Sequence, residues 1–182
     1  PSGLTIEIQH SHLPEPERLS RENFYGNLIW IVDGRSFRDR IDIYHPLPSP
    51  KSELAQDLVW SQAKRGQEGA NRGLFFRVSE AREDDSMATR ATVRGGRIHS
   101  IREIQSAIDS SYEGHHQYDW IRPHQGWLAA GCPVYIDFGD ADLARLQMFD
   151  HETRLPCVRL VAKSDFIKST LFASTADEVL PD

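Results

Sequence analysis

Residues Leu4 to Gln9 alternate apolar and polar side chains with period two, the pattern of a strand with one buried face. Ile6 and Ile8 share one side of that strand, and Thr5, Glu7 and Gln9 share the other. Pro14 and Pro16, with Glu15 and Glu17, then open a helix that Gly26 closes. Proline is tolerated in a first helical turn, carboxylates favour the amino-terminal end, and glycine favours the carboxyl-terminal end. Leu28 to Val32 is a continuous apolar run stopped by Asp33-Gly34, which predicts a fully buried strand. Ile41 to Tyr44 predicts a further strand.

His45 to Pro50 carries prolines at 46, 48 and 50 and predicts a stiff connector, which divides the chain into residues 1–45 and 51–175. Ser52 can cap a helix running to about Arg65 with Gly66 beyond it, and Leu74 to Val78 reads as a strand. Residues 79–97 read as an exposed loop. Ser100 and Glu103 form a capping box ahead of the stripe Ile101, Ile104 and Ile108, so a helix is expected that ends near Gly114. Val134 to Phe138 and Cys157 to Val161 are strand-like, with a helix expected between them over Leu143 to Phe149. The pattern predicts an α/β protein, a mixed sheet flanked by helices with an added α+β part after the connector.

Composition narrows the class. The 182 residues, 39% hydrophobic and 26% charged, belong with globular proteins. No run approaches the roughly 18 apolar residues of a membrane span, and the first residues lack a basic and then apolar leader. The expectation is a cytoplasmic protein with no membrane partner. The strand pattern begins at Leu4 with no helix or partner strand ahead of it, which suggests a core with its amino-terminal part omitted. Cys132 and Cys157 have no partner at zinc-ligand spacing and are expected to be buried thiols. The formal charge of −6 gives no general attraction to nucleic acid, so any DNA contact must be local. Arg35, Arg38 and Arg40 form one basic cluster, and Arg90, Arg94 and Arg97 another; the plainer reading of both is solvated loop charge.

Glu7 and Gln9 place two polar side chains on one strand face, about 7 Å apart. Magnesium takes oxygen ligands and is commonly held by one or two carboxylates with waters and substrate phosphate, so Glu7 could supply one ligand. Many half-buried strands carry Glu-x-Gln with no function. Arg18, Arg21 and Tyr25 lie three and four residues apart and share a helical face of roughly 60°. A helix that directly follows a strand can turn such a face back to the strand's polar edge. The alternatives are pairing of Arg18 and Arg21 with Glu17 and Glu22, and simple packing of Tyr25 at the helix end.

The run Ile6-Glu7-Ile8-Gln9-His10-Ser11, followed by Arg18, Arg21, Tyr25 and Leu28-Ile29-Trp30-Ile31-Val32-Asp33, resembles the core of competence-protein CoiA-like members of the PD-(D/E)XK nuclease superfamily. The likeness covers residues 4–34 and is suggestive again near Trp120 to Asp140 and Cys157 to Phe166. It implies the second half of a restriction-endonuclease-like core that hydrolyses phosphodiester bonds of DNA with Mg²⁺ or Mn²⁺. The resemblance makes Glu7 a metal ligand, puts Gln9 where a Lys usually stands, and casts Arg21 and Tyr25 as supporting residues. Arg18, Arg35 and Arg38 are the candidate nucleic-acid contacts, and protein partners in recombination or DNA uptake would follow. The family's Asp belongs on a strand before Glu7; Asp33 is the local substitute considered. A catalytically degenerate binding module of the same fold, or an interaction protein in which Glu7 is an ordinary strand carboxylate, are the rival expectations.

Other residues compete less well. His10 and His12 face away from Glu7 by alternation. His115, His116 and His124 near Asp119 read as exposed turn histidines, and Asp137, Asp140 and Asp142 as a turn with a cap. Trp120 and Trp127 read as core, with nucleobase stacking the alternative.

Overall fold

The computed structural model describes residues 3–179; the opening Pro1 and Ser2 lie outside them. In chain order the elements are β1 (Thr5–Gln9), α1 (Glu15–Tyr25), β2 (Leu28–Asp33), β3 (Ile41–Pro46), α2 (Glu53–Asp57), β4 (Leu58–Trp60), α3 (Glu68–Asn71) and β5 (Leu74–Arg77). They continue as α4 (Val78–Asp84), β6 (His99–Ser100), α5 (Gln105–Ser111), β7 (His115–Trp120), α6 (Gln125–Leu128), β8 (Val134–Asp137), β9 (Asp142–Asp150), β10 (Leu155–Ala162) and α7 (Lys163–Phe172). The fold is mixed α/β: a seven-stranded mixed sheet in the order β1-β2-β8-β9-β10-β7-β3, and a three-stranded sheet β4-β5-β6.

Two compact units emerge, one of residues 1–40, 120–146 and 160–182, the other of residues 41–119 and 147–159. The division expected at residues 45–51 becomes one set by strand pairing: β8 pairs in parallel with β2 and draws the later chain into the first unit. Pro46 closes β3, and the proline-rich stretch falls inside the second unit.

In the first unit β1, α1 and β2 form a parallel crossover, with Glu7 opposite Trp30 and Gln9 opposite Val32. Gly26 ends α1 at φ 67°, a left-handed conformation that glycine adopts without a Cβ penalty. Trp30 Nε1 donates to Glu22 of α1 at 3.2 Å, so α1 covers the sheet face that carries Glu7 and Gln9. The other face packs Ile29, Tyr135 and Phe166 of α7 together with Val179. Ile6 and Ile8 lie on that second face but remain 40% and 59% exposed, because β1 ends the sheet order. The more covered side of β1, half-buried at Thr5, Glu7 and Gln9, is therefore its polar side, the reverse of the usual arrangement, and it is tolerated because α1 brings a cation to the carboxylate. Gly34 donates its N–H to the Asp137 carbonyl at 2.8 Å, and a side chain there would run into Ile136 and the Phe138 ring.

In the second unit Leu47, Leu58, Phe75, Ile104, Ile108 and Cys157 form the core. Ser52 caps α2, accepting from the Ala55 N–H at 3.1 Å, but the helix stops at Asp57 instead of near Arg65. Leu58, Val59 and Trp60 are taken into antiparallel pairing with β5, where all three are buried. The Ser100–Glu103 capping box forms on a single 3-10 turn, followed by α5, which ends at Ser111. The stretch read as a loop over 79–97 includes most of α4, and Ala88 and Val93 are buried with Val59 and Val78. The helix expected over Leu143 to Phe149 is the strand β9, whose first residues pair with β8.

Candidate functional site

β1 delivers Glu7 and Gln9 to the face beneath α1, and α1 returns Arg21 to meet them. Arg21 donates through Nη1 to Glu7 Oε1 and through Nη2 to Glu17 Oε1. Glu17 and then Glu7 hold the Arg21 guanidinium above its ordinary range against the cost of burial. The Glu7 side chain is 22% exposed; its second oxygen, Oε2, is shielded from solvent and accepts no hydrogen bond. Gln9 Nε2 donates to the Ser11 carbonyl at 2.9 Å and to Ser11 Oγ at 3.2 Å, which leaves its amide oxygen as an acceptor.

Arg18 forms the pair with Glu22 that was the alternative to a nucleic-acid contact, but inside the protein and not on a solvated helix. It is 2% exposed and donates to Glu22 Oε1 at 2.5 Å, with Glu15 3.9 Å away. A buried guanidinium needs such compensation, and the pairing makes Arg18 part of the packing between α1 and β2, not a surface DNA contact. Tyr25 is half-buried and packs edge-to-face on Phe24, with ring centroids 5.1 Å apart. The structure thus joins Glu7 with Arg21 and leaves Tyr25 apart from them.

A second cluster lies at the carboxyl ends of β1, β2 and β8. Asp33 accepts from Arg35 Nε at 2.9 Å and Nη2 at 2.7 Å, and His10 Nδ1 lies 3.2 Å from it. These contacts, those of Arg35 first, hold the Asp33 carboxyl far below the usual carboxylate range. Asp137, the register partner of Asp33, accepts from Lys163 Nζ at 2.8 Å and from the Gly139 N–H at 2.7 Å. Burial opposes ionisation of Asp137, yet these two donors outweigh it and hold its pKa below the ordinary value. Asp33 follows Ile29 and Ile31 in strand alternation, on the face opposite to Glu7, so it is no substitute for a second carboxylate beside Glu7. Lys163 was not visible as a site residue in the sequence; the signal is its place immediately after an apolar strand.

Arg35 is therefore engaged by Asp33, and Arg38 lies over the Phe138 ring at 4.9 Å. Arg90 is paired with Asp150 at 3.5 Å and Glu152 at 3.1 Å. His115 is buried within β7 instead of exposed in a turn, and His116 Nδ1 lies 2.7 Å from the Tyr44 carbonyl. Burial lowers the pKa of His116. Trp120 is buried against Phe37, with centroids 5.2 Å apart and rings nearly parallel. Cys157 is buried as expected, and Cys132 is only half-buried.

Among the described residues no three His, Cys, Asp or Glu side chains gather in a metal-binding group. The fit of a hard divalent cation therefore rests on Glu7 Oε2, a carboxylate oxygen with unused acceptor capacity, and on the Gln9 amide oxygen two residues along the same face. Oε2 is shielded from solvent, so an ion that keeps most of its ligands as water or phosphate oxygen would reach it by displacing Arg21. No helix of the described residues is long and apolar enough to cross a membrane. Comparison with known protein families, with curated proteins and with solved structures finds no match to the chain.

Proposed function

We propose that the chain is a nuclease-type DNA-processing protein built on the second half of a restriction-endonuclease-like core. The observation that carries this reading is the meeting of Glu7 and Arg21 across a parallel β-α-β crossover, with Glu7 Oε2 left free of hydrogen bonds. The resemblance of residues 4–34 to CoiA-like PD-(D/E)XK proteins supplies the chemistry. Glu7, with the Gln9 amide oxygen, would hold Mg²⁺ or Mn²⁺; when bound, the cation lowers the pKa of an attacking water and polarises a phosphodiester. Arg21 orients the Glu7 carboxylate and supplies the positive charge that Gln9 lacks. Gln9 positions water or phosphate oxygen by hydrogen bonding but takes no proton. Tyr25 supports the helix end that carries Arg21. DNA uptake, recombination or processing inside the cell is the setting the resemblance implies.

A second reading is favoured by the same ion pair. Arg21 already compensates Glu7, and a carboxylate so paired suits a degenerate module that binds DNA or protein partners without cutting. Manganese titration separates the two. A nuclease binds Mn²⁺ in the wild-type chain and loses that binding in Glu7→Gln; a degenerate module shows the same weak binding in both.

A further inference from the structure

We propose that the cavity beside Gln9 captures a single nucleobase of a nucleic-acid strand. The cavity has a volume of about 360 Å³, and Gln9, Arg18, Phe37, His124, Gly126 and Trp127 are among its walls. That volume is within the range of small-ligand sites. It lies wholly in the first unit and continues the face on which Glu7 and Gln9 stand.

Its chemistry selects a neutral planar heterocycle over a phosphate. Phe37, 7% exposed, and half-buried Trp127 give aromatic walls, and His124 meets the Phe37 ring edge-on at 5.5 Å. Arg18 is 2% exposed, and its Nε–H has no hydrogen-bond partner, although Nη1 is bound to Glu22. A buried, charged donor left unpaired is costly and rare; Nε is itself shielded from solvent, so the carbonyl or ring nitrogen of a base would satisfy it as the cavity wall yields. The Arg18 charge is already balanced by Glu22, and the Asp33 charge by Arg35, so neither leaves a phosphate an unpaired cation to bind. A neutral base needs none. Gly126 borders Arg18: a Cβ at that position would lie 3.7 Å from Arg18 Nε, an ordinary contact, so a larger side chain is needed to fill the cavity.

The inference rests on the nucleic-acid part of the proposed function, but its readout is binding without divalent metal. Intrinsic fluorescence, to which Trp127 contributes with the other three tryptophans, is titrated with a short oligothymidylate and with the abasic sugar-phosphate strand of the same length. The base-bearing strand should bind roughly tenfold more tightly, the scale of one base stacked on aromatic side chains. His124→Ala should weaken that preference, and Gly126→Leu, which fills the cavity, should remove it while far-ultraviolet dichroism stays that of the wild type. Equal binding of the two strands, no binding of either, or a preference that survives Gly126→Leu overturns the proposal. Base preference without metal-dependent cleavage sinks the nuclease reading alone, and cleavage without base preference sinks base capture alone.

Discussion

Arg21 holds Glu7 Oε1 and Glu17 Oε1 with the two ends of one guanidinium, so a residue on α1 governs the charge available on β1. A cation approaching Glu7 competes with Arg21. Arg21→Met should therefore tighten Mn²⁺ binding, by roughly two- to fivefold, the scale of a half-exposed ion pair. Calorimetric titration reads this directly, and weaker binding in the variant would show that Arg21 organises the site more than it opposes the ion.

The inverted facing of β1 can be tested by truncation. Ile29, fully buried on β2, should cost about 2–5 kcal/mol when changed to alanine. Ile8, 59% exposed, should cost less than about 0.5 kcal/mol. Urea unfolding of both variants decides, and equal losses would place Ile8 in the core.

His99 predicts a pH dependence. It is buried between Glu80 and Glu103, with each ring nitrogen 2.9 Å from a carboxylate. Glu103, then Glu80, raise its pKa above the ordinary 6.5, and His99 in turn lowers Glu103 below 4.5. A raised histidine stabilises fully below its unfolded pKa and loses that contribution as pH climbs through the folded value. A lowered carboxylate stabilises above its unfolded pKa and loses that contribution as pH falls through the folded one. The combined contribution should thus be largest from about pH 4.5 to 6.5 and decline toward alkaline pH. His99→Gln should flatten the alkaline limb of the stability profile; an unchanged limb would contradict the assignment.

Gly34 sits where β2 passes close to β8. Gly34→Ala should cost roughly 1–3 kcal/mol by overpacking against Ile136 and Phe138. Thermal unfolding checks it, and a neutral result would mean that β8 shifts to accommodate the methyl.

The first strand, first helix and second strand were legible in the sequence because their patterns are local: period two, proline opening and glycine closing, and an apolar run. The return of Arg21 to Glu7 was also legible from helical spacing. Three errors share a cause. Leu58 to Trp60 and Leu143 to Phe149 became strands, and His115 became buried, because partner strands distant in the chain decided them. The facing of β1 was hidden for a related reason: alternation shows that two faces differ but not which one a helix will cover. The pairing of Arg18 with Glu22 was legible from helical spacing, but its burial was not, because Glu22 is itself held by Trp30 of β2.

The most direct measurement is cleavage of supercoiled plasmid and of single-stranded circular DNA with Mg²⁺ or Mn²⁺, comparing the wild-type chain with Glu7→Ala. The account predicts nicking or degradation that needs the metal and falls at least about a hundredfold in Glu7→Ala, the scale of losing a group that stabilises the transition state. Metal-dependent cleavage of equal rate in both proteins, or no cleavage by the wild type with either metal, would contradict the nuclease assignment of Glu7.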